Sequence, residues 1–247
     1  MERKTYLIIA LLIAFTTSIM AQKDYKSAIY NAYISNKMDT WKRIIDEMER
    51  DEQHNHALTL ELINYQYGYV GYCIGLKRSD EAKLYLGKLE ANVEKLKKKK
   101  EKLSHINAYK ASIYGFKIGL APIRAPFEGP SSISAAKEAL KLDAKNPLAH
   151  LAYGNTQFYM PEAFGGSKKL AISHYLQAQK LMEQHPAAIT NDWNYLSLLV
   201  TMAKAYDKIG QKTTAKAYYE KILTLEPNFR WVRDELYPAI LKETTKP

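Results

Sequence analysis

LVTMAKAYDKIGQKTTAKAYYEKILTLEP, residues 199–227, decides the fold. Met202, Ala203 and Tyr206 recur at helical spacing, and Gly210 interrupts the run. Ala215, Tyr219 and Ile222 then fall on a second helix, which ends before Pro227. A helix–turn–helix unit of this kind buries its apolar face only against neighbouring copies, so further copies are expected along the chain.

Working outward, the chain reads as helices with short breaks from Gln22 onward. Helix pairs are expected at about 24–52, 56–100, 105–144, 147–186 and 191–226, followed by a capping helix at 229–242. The fold class is therefore all-α, a solenoid of about five antiparallel helix pairs with a C-terminal cap. Ser79 and Asp80 offer N-cap chemistry to the second helix of the second pair, and Asn146–Pro147 opens the fourth pair. Ala203 and Ala215 lie twelve residues apart; the matched pairs Gly154/Ala171 and Gly115/Ser132 each lie seventeen apart. That offset places enlarged turns at 121–130 and 159–167, with the second helix of the third pair starting near Ser131. The first two pairs read as degenerate copies.

These residues resemble tetratricopeptide repeat (TPR) proteins over the whole segment 22–247, most clearly in the last unit. More narrowly, GYVGYCIG (68–75), APFEGP (125–130), YMPEAFGGSKK (159–169) and WVRDELYP (231–238) resemble a family of small exported TPR proteins of Gram-negative bacteria. No activity attaches to that family, so the resemblance implies fold and export but no mechanism. Ile222 departs from the general TPR pattern, which has a smaller alanine there.

Residues 1–21 stand apart. Arg3 and Lys4 precede an apolar stretch from Tyr6 to Phe15, and small residues lead to Ala21. This is the layout of a signal peptide cut near Ala21/Gln22, and the expected location is periplasmic or secreted. The apolar run is short against the roughly 20 residues that span a bilayer. Cys73, the single cysteine, excludes an intramolecular disulfide and reads as a small buried hydrophobe. The net charge of +10 is concentrated in KLKKKKEK (95–102), with six lysines in eight residues. Without interleaved aromatics this argues against nucleic acid; a solvated helix end or a weak contact with an anionic surface is expected.

Catalytic constellations are missing from the pattern. His54 and His56 lack both HExxH spacing and cysteine companions, so no metal is expected. GGSKK (165–169) lacks the full phosphate-loop spacing and reads as a turn capped by Ser167. No cofactor is expected. In TPR-like arrays the first helix of each pair lines an inner groove, which nominates Tyr109, Ser112, Phe116, Leu151, Asn155, Phe158, Tyr159, Val200, Lys204 and Asp207. Phe164, in the enlarged turn, is expected as a plug or at the groove rim. The function expected is a non-enzymatic scaffold for a protein or peptide partner. The alternative is a small-ligand binder or accessory enzyme using the 160–167 turn as a lid.

Overall fold

A computed structural model of the protein describes residues 24–51 and 56–244. Residues 1–21 and His54 lie outside the described residues. The first three pairs are α1 (Tyr25–Ile34) with α2 (Met38–Arg50), α3 (His56–Gly75) with α4 (Ser79–Lys97), and α5 (Leu103–Leu120) with α6 (Ala125–Leu142). Next come α7 (Pro147–Tyr159) with α8 (Lys168–Glu183), a short α9 (Pro186–Ile189), and α10 (Trp193–Lys208) with α11 (Lys212–Leu225). A π turn at Val232–Leu236 leads into α12 (Tyr237–Thr244). No strand occurs among the described residues.

The unit at 199–227 proves to share its turn with two others. At 32–37, 73–78 and 206–211 the same two backbone bonds close the first helix. The amides of Lys37, Arg78 and Gln211 donate to the carbonyls of Ala32, Cys73 and Tyr206; those of Asn36, Lys77 and Gly210 donate to Tyr33, Ile74 and Asp207. This is the Schellman arrangement, which needs one left-handed residue. Asn36, Lys77 and Gly210 supply it, with φ of 55°, 58° and 81°. Counting from that residue, Ile29/Trp41 and Val70/Ala82 match Ala203/Ala215, twelve apart and all buried. The first two pairs therefore follow the regular turn. Their sequences looked degenerate because larger side chains occupy the small-residue positions.

The third pair departs from expectation. Its second helix begins at Ala125, not near Ser131, because Pro126 sits in the first turn, where its fixed φ suits a helix start. Gly115 is exposed, and the close approach is instead at Ala111, whose carbonyl accepts from the Ser132 hydroxyl at 2.9 Å. The matched residues are thus twenty-one apart rather than seventeen. In the fourth pair Gly154 does face Ala171: a Cβ there would lie 3.2 Å from the Ala171 carbonyl and 2.5 Å from the Tyr175 ring. Ser79 and Asp80 do not cap α4; they form its first turn, behind Arg78, without a side-chain cap. Asn146 and Ser167 do cap their helices, accepting from the amides of Leu148 and Leu170.

The array closes on itself. The first unit packs directly on the fifth: Tyr30 and Ile34 share an apolar cluster with Leu199, Val200, Tyr219, Ile222 and Phe229. The Tyr30 hydroxyl donates to Glu226 at 2.8 Å. Trp193, the first residue of α10, reaches into the core of the first two units, 4.9 Å from the Trp41 ring. Gly68 permits that approach, since a Cβ there would meet Trp193 and Trp41 at 2.7 and 2.8 Å. Phe229 and Val232 are fully buried and Ile240 nearly so, which seats the C-terminal helix; Trp231 and Leu236 are only half-buried. The π turn carries that helix past Pro238, whose ring would otherwise clash one turn back.

Candidate functional site: an aromatic concave face

Alternating antiparallel helices leave α1, α3, α5, α7 and α10 parallel to one another on the inside of the curl. One helical stripe from each supplies the inner face. Asn64, Tyr67 and Gly71 on α3 repeat the three-then-four spacing of Tyr109, Ser112 and Phe116 on α5. Phe116 packs over Gly71, its ring edge 3.8 Å from where a Cβ would stand, an ordinary contact distance.

Tyr67 is the centre of the face. Its ring lies 5.8 Å from Tyr109, 5.5 Å from Phe116 and 6.4 Å from Trp193. Surrounding protein pushes its hydroxyl up to about 12; Tyr159 adds to this, while Asn155 and Ser112 turn polar atoms toward it and oppose the shift. Asn155 is held in place by the Tyr175 hydroxyl, which donates to its Oδ1 at 2.8 Å. Beneath Tyr67, Asn64 ties three helices together. Its Nδ2 donates to the Tyr109 hydroxyl at 3.0 Å and to Asn194 Oδ1 at 2.8 Å, and its Oδ1 accepts from Trp193 Nε1 at 2.8 Å.

Of the nominated residues, Ser112, Phe116, Asn155 and Tyr159 gather around Tyr67, with Tyr109 buried below and Phe158 beside Tyr159 at 5.1 Å. Tyr159 is 77% exposed, yet desolvation raises its hydroxyl, as expected of an open side chain inside a concavity. Phe164 is 78% exposed and stands at the rim rather than folding back as a plug. Leu151 and Val200 serve packing. Lys204 lies apart from the Tyr67 group, its Nζ 4.3 Å from the Trp231 ring centre; burial lowers its affinity for a proton. Asp207 is half-buried, and its charge acts on Lys212 and Tyr219 of α11. The sequence pattern left out Asn64, Tyr67 and Trp193. The signal was present as the spacing shared with α5, masked because the second pair looked degenerate.

Cys73 is buried, and burial pushes its thiol up to about 11. The 159–167 connection is a turn: Gly165 has φ of 90°, and a Cβ on Gly166 would overlap the Met160 carbonyl at 1.9 Å.

The fold and its inner face define a TPR-like α-solenoid. Among solved structures the chain is similar to the HusA haemophore from Porphyromonas gingivalis, with a TM-score of 0.58 and 16% identity over 76% of this chain and 96% of that one. It is also similar to TTC0263, a thermophilic TPR protein of Thermus thermophilus, with a TM-score of 0.51 and 18% identity over 86% of this chain and 91% of that one. Both are likenesses of fold. No protein-family model matches the chain, and no curated protein matches it by sequence.

Proposed function

We propose that this chain is a non-enzymatic scaffold, exported after removal of residues 1–21, that holds a protein or peptide segment on the concave face around Tyr67. One observation carries this reading: Tyr67, Phe116, Phe158 and Tyr159 present ring surface beside the amide of Asn155 and the hydroxyl of Ser112. Rings and amides together supply contact area and adaptable hydrogen bonds, the mixture that peptide recognition uses. Lys204, with no described carboxylate partner, is suited to an acidic group at the far side of the face.

Cross-linking in cell-envelope extracts tests this. Wild-type protein is expected to capture a defined partner, and Asn155→Ala with Tyr159→Ser to lose it by about tenfold, a cost of about 1.4 kcal/mol. Helical circular dichroism should be unchanged. Equal capture by the variant would sink the reading.

A second reading rests on the same four rings, which also suit a flat apolar ligand. One structurally similar protein is a haemophore, so haem is the ligand to try. A saturable absorbance change on haem titration, lost in Tyr159→Ser, would favour it over a peptide.

A further inference from the structure

The four most exposed large apolar side chains among the described residues are Ile123, Phe127, Phe164 and Tyr159, at 84%, 79%, 78% and 77%. All four lie at two neighbouring turns: Ile123 between α5 and α6, Phe127 in the first turn of α6, Tyr159 at the last residue of α7 and Phe164 between α7 and α8. Because α1, α3, α5, α7 and α10 run parallel, their carboxyl ends form one edge of the curl, where exposed Leu76 and Ile209 also lie. Cations stand beside these residues turn after turn: Lys77 follows Leu76, Arg124 follows Ile123, Lys168 and Lys169 follow Phe164, and Lys208 precedes Ile209. The carboxylates at this edge are largely spoken for. Glu81 pairs with Lys42 and Arg78, Asp80 with Lys83, Glu128 with Arg124 and Glu162 with Lys168. Lys37, Lys77, Lys169 and Lys208 are exposed without a described carboxylate partner, against Asp39 as the exposed unpaired acid.

We propose that this edge docks on an anionic lipid surface, with Ile123, Phe127 and Phe164 entering the interface and the edge lysines meeting the headgroups. Ile123 and Phe127 share one turn and Phe164 stands on the next, about one helix packing distance along the edge, roughly 8–10 Å. A folded protein partner would need a matching hole for each tip, whereas a fluid interface accepts them separately, and lysines beside them add attraction to anionic headgroups. The lysines at 95–102 belong to the opposite edge, the length of α4 away, about 28 Å.

Vesicle co-sedimentation tests the proposal, using protein without the apolar residues 1–21, which would bind lipid by themselves. The probes are phosphatidylcholine vesicles with and without phosphatidylglycerol. Binding is expected to rise about tenfold with phosphatidylglycerol and to weaken with salt. Ile123→Ser/Phe127→Ser/Phe164→Ser and, separately, Lys77→Gln/Lys169→Gln/Lys208→Gln should each lose that binding. Both sets change exposed side chains, so circular dichroism should match wild type. Replacing Lys97, Lys98, Lys99 and Lys100 with Gln should leave binding intact. No binding to the anionic vesicles overturns the proposal. So does binding that the opposite-edge lysines abolish while the apolar variant retains it, or a soluble protein captured through the tips without vesicle binding.

Discussion

His150 and His174 show how one proton can matter at the residue scale. They face each other across the fourth pair, Nδ1 to Nδ1 at 3.0 Å, and His150 Nε2 lies 2.9 Å from the Ala144 carbonyl. That carbonyl can only accept, so His150 carries its proton on Nε2 and accepts at Nδ1 from His174. Protonating both rings would set two donors against each other. Burial, reinforced by His150, lowers the affinity of His174 for a proton; burial does the same at His105, reinforced by Lys102. With the folded value depressed, the unfolded chain binds protons first as pH falls below about 6.5. The stability these rings contribute is present above that range and is lost as pH falls through the folded values. Urea unfolding should therefore give lower stability at about pH 5 than at about pH 7.5, and His174→Asn should reduce that difference. None of this was visible in the sequence, where His150 and His174 stand 24 residues apart and read as scattered.

At the element scale, the regular turn is the informative unit. Lys77 fills a left-handed position that a glycine fills in the fifth pair, and a side chain there is strained by about 1–2 kcal/mol. Lys77→Gly should therefore stabilise the protein by about 1 kcal/mol, read as a higher urea midpoint at unchanged slope. The last unit was legible in the sequence because Gly210 and two alanines advertise the turn and the close contact. The first two were obscured because Asn36 and Lys77 do the same backbone work without a glycine, and Ile29, Trp41 and Val70 fill space that alanines leave empty. The third pair misled for the opposite reason. Its prolines read as a long turn, but Pro126 starts a helix and Pro130 is carried inside it. The inner face was half legible: α5 and α7 supplied nominees that do converge, while Tyr67 required knowing that α3 lies beside α5.

The whole molecule behaves as a closed curl, and no local pattern announces that. Contacts between Tyr30 and Glu226, or between Asn64 and Asn194, join residues more than a hundred positions apart. In an open repeat array the terminal unit frays first, since it has one neighbour. Here α1 has a neighbour on each side. Hydrogen exchange should give the amides of Ile29 to Ile34 protection comparable to those of Leu198 to Met202. Fast exchange confined to α1 would show that the closing contact is weak. Gly68→Leu, which places side-chain atoms where Trp41 and Trp193 meet, should lower protection at both ends together.

The amide of Asn64 has a further consequence. Most helical repeat proteins can gain or lose a unit in evolution, because each copy only has to satisfy the next. With Asn64 committed to Trp193 and Asn194, the chain has in effect counted its own repeats. A duplicated unit would have no seam to enter, and a deleted one would leave the indole nitrogen without its acceptor. Room for change in such a protein is confined to what the turns carry outward, and the third and fourth turns carry the most.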